Sequence, residues 1–307
     1  MGSPSDTDFL AQAWQWQSQW SQSAERLKRS LVRFRSIALG LAILAAVLVT
    51  LAQQVDDFSS VGRILAWLAA ACAAILAAVQ AVSKPAKVED WMRARSVSEA
   101  IKSEMYAYLA GVAPYRGPHR ATVLGKKVDA VLASVKDLED QTVDVLPAQR
   151  TLPAVTDVAS YVTARVQGQI HDYYQPQSVA MKRRAEQFRV TEIALAVVAA
   201  LLSATAAATG QKGWAGWPPV VTTIAAAVAA QVAVQRYNGL AVEFARTAGQ
   251  LERLAWNRSN GEKSSPAADD EFVRAAEMAI SQQNEAWMAR GIAAAKAPGA
   301  GPPGTGG

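Results

Sequence analysis

Apolar and polar positions in this chain are sorted into long blocks, not mixed evenly along it. Four apolar runs stand out, at residues 37–52, 64–82, 190–209 and 217–234. A helix needs about 20 apolar residues to cross a hydrocarbon core of about 30 Å, and about 17 is the lower limit. The second and fourth runs are long enough as they stand. The first, taken as a span of about 37–54, and the third, 190–209, reach that length by placing Ser36, Gln53 or Glu192 near the headgroups. A single Ala-rich run could be a buried soluble helix. Four runs in two close pairs have no such explanation, and about ten polar residues between the members of a pair make each pair an antiparallel hairpin.

The polar stretches carry a different pattern, with apolar residues at alternating spacings of three and four, the period of packed helices. Ahead of the first span the stripe is Trp20, Ala24, Leu27, Leu31 and Phe34. After the second span it is Trp91, Ala94, Ser98, Ile101, Met105, Tyr108 and Val112. A further helix carries Val128, Val131, Val135, Leu138 and Val145. After the fourth span come Tyr237, Leu240, Phe244, Thr247, Leu251 and Leu254, then Val273, Ala276, Ile280 and Trp287. Pro114, Pro118, Pro147 and Pro153 interrupt the middle, because proline breaks helix interiors.

The order of elements repeats: a polar helix, a hairpin of spans, a long post-hairpin helix and a terminal helix. The pattern predicts an all-α integral membrane protein of two tandem helical-hairpin repeats, with four transmembrane helices extended by long cytosolic helices. Residues 1–150 form the first repeat, residues 151–296 the second, and the Gly/Pro-rich residues 297–307 a disordered tail. Two spans per repeat give both repeats the same orientation. Parallel repeats suit a ring around an axis along the membrane normal.

Charge settles the predicted orientation. The net charge is +5, and the basic residues gather beside the spans: Arg29, Arg33 and Arg35 before the first, Lys84 and Lys87 after the second, Lys182 to Arg184 before the third. The hairpin tips hold only Arg63, beside Asp56 and Asp57, and Lys212. Lys and Arg near span ends favour the cytoplasm, so both termini and the polar helices are expected there. This clustering argues for the lipid bilayer, and not nucleic acid, as the partner. The first span is expected to serve as an uncleaved anchor.

Candidate chemistry is sparse. Cys72 is the one cysteine, so no disulfide or Cys-based zinc site forms within a chain. His119 and His171 stand far apart in polar regions, without further ligands at metal-site spacing. The Gly/Pro-rich end at 301–307 has the look of a phosphate loop but lacks its Lys-Ser/Thr and helix. We expect no cofactor, no metal and no enzyme activity.

Polar groups inside the spans matter more, because lipid makes them costly. Gln80, Glu192, Thr223 and Gln231 are candidate pore-lining residues. The competing reading has Glu192 at the interface and the Thr and Gln side chains bonding within or between helices. Trp14, Trp16 and Trp20 either anchor an interfacial helix or pack on the cytosolic helices, and packing is favoured. Small residues along the spans, as at 69–74, permit close helix approach and point to a homo-oligomer.

This layout resembles the SLATT family, two-transmembrane effector domains associated with nucleotide-signalling conflict systems of prokaryotes. The resemblance lies in aromatic-led basic helices entering each hairpin, WSQSAERLKRSLVRFR and YYQPQSVAMKRRAEQFR, in the stretch WMRARSVSEAIKSEMYAYLAG, and in the final FVRAAEMAISQQNEAW. It implies an oligomeric effector that permeabilises an inner membrane when triggered. On this resemblance any ligand input comes either from a partner, a cytosolic sensor or nucleotide-signalling protein, or from the cytosolic helices themselves. The second copy lacks the Arg93 and Arg95 pair.

The leading expectation is a pore or ion channel gated through its cytosolic helices. Residues 89–110 and 237–255 are the expected stalks, each continuing as helix from the second or fourth span. Trp91, Arg95, Ile101, Tyr108, Tyr237, Phe244 and Leu251 are the candidate gating residues. A membrane-anchored scaffold that recruits partner proteins is the alternative.

Overall fold

The structure, a computed structural model, describes residues 6–55, 60–82, 85–148, 150–210, 212–261 and 265–296. All regular structure among them is helical. Helix α1, Asp6–Gln54, is one unbroken element of 49 residues. No proline interrupts it and Gly40 is its only glycine, so nothing in the sequence ends it before the hairpin tip. Helices α2, Ser60–Val82, and α3, Pro85–Leu109, follow. Pro85 stands at the first position of α3, where a missing N–H costs nothing. Helix α4, Arg120–Ala133, and a 3-10 segment, Lys136–Thr142, complete the first half.

The second half opens with α5, Val158–Tyr161, whose start is fixed by reciprocal capping between Asp157 and Ser160. It passes through two π-helical segments, Val162–Gln167 and Gln169–Tyr174, into α6, Gln175–Thr209. Short α7, Lys212–Ala215, leads to α8, Trp217–Gln235, then α9, Tyr237–Asn260, and α10, Pro266–Lys296. Among the described residues, three helical stretches are long and apolar enough to cross a membrane, within Thr7–Gln53, Ser60–Val79 and Val158–Thr209. The fourth expected span is α8, an apolar helix of 19 residues, within which the described apolar stretch is Trp217–Ala229.

The chain forms two compact units, and each draws on both halves of the sequence. The first comprises residues 1–29, 85–177 and 243–307, the second 30–84 and 178–242. In the first unit the expected stripes are the core. Trp20, Ala24, Ala94, Ile101, Met105, Tyr108, Val128, Val135, Leu251, Val273, Ala276 and Ile280 are all buried. Helix α3 packs against α4 and α10. Trp14 meets Tyr106 edge-on at 6.3 Å and Trp16 meets Phe9 at 6.5 Å, so these tryptophans pack within the unit.

The second unit is the reverse of a soluble domain. Trp67 is 78% exposed, Val190 66% and Leu201 63%, while Thr50 and Ala69 lie inside. Within this unit Phe188 stacks on Tyr237 at 5.3 Å, and Ser178 Oγ donates to the carbonyl of Ala241.

One expectation is corrected. The fourth span does not continue as helix into the 237–255 stalk. Arg236 adopts a left-handed conformation, φ 48° and ψ 42°, and its N–H closes α8 on the carbonyl of Val232 at 3.0 Å. A left-handed residue turns the backbone out of the right-handed path, so α8 ends and α9 starts anew. Helices α1, α6 and α9 each contribute residues to both units. Residues 83–84, between the second span and its stalk, and the 297–307 tail lie outside the described residues.

Candidate functional site

Of the candidate pore-lining residues, the side chains of Gln80 and Gln231 lie outside the described residues, as does that of Trp287 in the last stripe. Glu192 is half-buried on α6. Thr223 is exposed and its hydroxyl donates to the carbonyl of Pro219 at 2.8 Å. Thr205, Thr209 and Thr222 bond carbonyls of their own helices in the same way. These hydroxyls are satisfied locally, as lipid requires.

The candidate gating residues divide between the units. Ile101, Tyr108 and Leu251 are fully enclosed in the first unit. Tyr108 meets Tyr115 edge-on at 5.6 Å under the Arg120 guanidinium at 4.5 Å. Phe244 is buried against Tyr173 and Tyr174. Trp91 is half-buried, and Arg95 donates to the Tyr173 hydroxyl at 3.1 Å. Tyr237 belongs to the second unit.

The first unit also contains a buried ionic cluster absent from the sequence-based list. Arg165, in the first π-helical segment, is 1% exposed. Its Nε and Nη2 donate to the two oxygens of Glu277 on α10, at 3.0 and 2.9 Å. Tyr161 donates to the same carboxylate at 2.9 Å, and the Tyr106 ring lies 4.8 Å from the guanidinium carbon. Glu99 of α3 approaches Arg165 at 3.9 Å. Burial pushes the Glu277 carboxyl up, but the Arg165 charge and the bonds from Arg165 and Tyr161 outweigh it and hold it below the ordinary value. Burial and the neighbouring Glu277 charge push the Tyr161 phenol well up, so it stays a donor. The bidentate fork thus ties the π-helical segment to α10.

A signal for this cluster was present in the sequence. Glu277 lies on the stripe of Val273, Ala276 and Ile280, and Arg165 lies at helical spacing from Val158 and Tyr161. Each is a charge on a core-facing stripe, and a buried charge requires a partner.

Beside this cluster, still within the first unit, a cleft of about 700 Å³ opens. Its walls are the 21–29 stretch of α1, the Trp91 to Glu99 face of α3, and the 144–150 segment. Four arginines line it, Arg26, Arg29, Arg95 and Arg150. Glu25, Glu99 and Asp144 line it too. Glu25 is shared between Lys28 at 3.8 Å and Arg29 at 3.6 Å. Ser18 fixes the 144–150 segment, donating to the carbonyl of Ala148 at 3.3 Å and accepting from its N–H at 3.1 Å.

Comparison with known families finds two matches, one in each half of the chain. Residues 161–287 match a family described as SMODS and SLOG-associating 2TM effector domain 1. Residues 18–122 match a family described as a protein of unknown function, DUF4231. No curated protein and no solved structure is detectably similar to the chain.

Proposed function

We propose, on the premise that residues 161–287 belong to the SMODS and SLOG-associating two-transmembrane effector family, that this protein is an oligomeric membrane effector of a prokaryotic conflict system. In this reading it permeabilises the inner membrane, and its cytosolic helices control the opening. Both termini are cytoplasmic, as the basic residues beside the spans favour. The reading assigns the chain no catalytic step.

The observation that carries it is that α1 and α6 each contribute residues both to a packed polar unit and to an apolar one. Monomeric soluble proteins rarely expose contiguous apolar patches beyond a few hundred Å². The outward faces of the spans, with Trp67, Val190 and Leu201, need lipid or other subunits around them. In this reading a shift of the cytosolic turns of α1 is passed to its span along the same helix. The fourth span lacks this link because of Arg236.

The test is ion flux through liposomes containing the purified protein, with the mass of the solubilised assembly measured in parallel. Flux from an assembly of several subunits is expected. A monomer without flux under any lipid composition would overturn the reading.

A scaffold reading has one observation in its favour: the described threonines of the second hairpin donate their hydroxyl protons to carbonyls of their own helices and not across to a neighbouring element. Replacing Gln80, Glu192 and Gln231 by leucine separates the two. A scaffold keeps its phenotype, and a pore loses or changes its conductance.

A further inference from the structure

We propose that the second unit carries a cationic collar that docks the headgroups of anionic phospholipids in the cytoplasmic leaflet. The proposal rests on the membrane-effector reading for placing the spans in a bilayer, and it adds the headgroup chemistry.

Charge is divided unevenly between the units. Ten Lys and Arg but only four Asp and Glu fall in the second unit, residues 30–84 and 178–242. The remaining 21 basic and 22 acidic residues leave the first unit close to neutral. Within the second unit the hairpin tips balance, Arg63 and Lys212 against Asp56 and Asp57. The whole surplus therefore gathers at the opposite end of the spans.

The described cations at that end are open to the surroundings. Arg33 on α1, Lys182, Arg183, Arg184 and Arg189 on α6, and Arg236 after α8 are all exposed. None of the six forms an ion pair among the described residues. Glu186 stands one turn from Lys182 and Arg183, and Glu192 one turn from Arg189, yet neither closes a pair.

Orientation in the membrane asks only for more Lys and Arg on one side. What points to a headgroup is the register of these cations with the lipid-facing rows. On α6, Arg183 shares a face with Val190, Val197 and Leu201, at steps of seven, seven and four, and all three are exposed. On α1, Arg33 shares a face with exposed Ile37 and Leu44. Met181 is buried and Phe188 stacks on Tyr237, so the opposite side of α6 is turned inward.

Seven residues of helix, about 10 Å, separate Arg183 from Val190. The headgroup region of a bilayer is about 5–8 Å deep on each side. An arginine stem spans the difference. A phospholipid whose tails lie along the Val190 row thus presents its phosphate to Arg183, with Lys182 and Arg184 on either side. A zwitterionic headgroup brings its own cation and leaves the surplus in place, whereas an anionic one cancels it. Each basic side chain near an anionic leaflet is worth about fivefold in partition.

The experiment is electron paramagnetic resonance of the full-length protein in phosphatidylcholine vesicles with a trace of spin-labelled lipid. The spectrum reads the share of label held at the protein. Labelled phosphatidylglycerol is expected to be preferred over labelled phosphatidylcholine by about twofold or more, averaged over all lipid contacts. Labelled phosphatidylethanolamine is expected to show no preference. At about 1 M salt, where charges are screened within about 3 Å, the preference should fall towards one. Lys182→Gln with Arg183→Gln and Arg184→Gln should lose most of it. Arg63→Gln with Lys212→Gln, at the tips, should keep it. Circular dichroism and retention in the vesicles show whether each variant is folded and inserted. If the collar variant fails that check, the salt series on the wild type decides.

Equal association of the two labels, a preference indifferent to salt, or one kept in an inserted collar variant would overturn the proposal. Displacement of the lipid by millimolar glycerol 3-phosphate would do the same, because a soluble phosphate would then be the occupant. Ion flux in the same vesicles separates this proposal from the effector reading. Lipid preference without flux sinks the pore, and flux without lipid preference sinks the collar.

Discussion

Glu277→Gln should destabilise the first unit by about 3–5 kcal/mol, the usual cost of removing one partner from a buried ion pair. In the wild type the guanidinium of Arg165 is enclosed and held by two bonds, at 3.0 and 2.9 Å, to Glu277. Without that carboxylate, the remaining acid near Arg165 is Glu99 at 3.9 Å, and its side chain is 27% exposed. Arg165 cannot shed its proton to escape, because guanidinium remains charged at any working pH. The Tyr161 hydroxyl would keep an acceptor in the amide oxygen, so the loss is chiefly electrostatic. Arg165→Met with Glu277→Leu should recover most of the loss, because it removes both charges and fills the space. Hydrogen exchange of α3 and α10 in the detergent-solubilised chain is the suitable assay. A protein of two units need not unfold in one step, and exchange reads each helix separately. Faster exchange in the single variant, largely reversed in the double, is the expected result. If Glu277→Gln costs under about 0.5 kcal/mol, or the double variant is worse than the single, the buried pair does not hold α10 in place.

Acid should weaken the first unit through the same carboxylate. Its folded pKa is depressed below the ordinary 4.5, so its contribution is complete above that pH and is lost as pH falls through the lowered folded value. Exchange rates in α10 should therefore rise below about pH 4.5 more steeply in the wild type than in Glu277→Gln. Arg236→Gly should stabilise the α8–α9 junction by about 1 kcal/mol, since glycine adopts φ near +50° without steric cost; slower exchange at 236–240 would support this, and faster exchange would refute it. Leu201→Arg puts a charge on an outward face of the 190–209 run, at a cost of about 2.5–3.5 kcal/mol in insertion if mid-span. The variant should shift from the carbonate-resistant membrane fraction, and full retention there would argue against lipid contact at that face.

The stripes carried most of the legible fold. Trp20 with Ala24, Ala94 through Tyr108, and Val273 through Ile280 recur at helical spacing because one side of each helix must leave water, and these are the residues the core encloses. The apolar runs were equally plain, as at 190–209, where exposed Val190 and Leu201 need a medium other than water. Assembly across the halves was not legible. Local periodicity shows which face of α10 is buried, but not that α3, more than 150 residues earlier, covers it.

Arg236 was missed because nothing in RYNG demands a left-handed residue, and an apolar run leading into a stripe reads as continuous helix. The π-helical segments around Arg165 and Tyr174 gave no sequence signal. The buried pair was half visible, as charges on apolar stripes. The cleft was not, because its arginines lie in three segments and two of them, Arg26 and Arg29, read as flanks of a span.

The most direct test of the central claim is ion efflux from liposomes carrying the full-length protein, followed across protein densities and lipid compositions. The account predicts protein-dependent efflux that Gln80→Leu with Glu192→Leu and Gln231→Leu abolishes or alters. Intact vesicles at every protein density and lipid composition would contradict it.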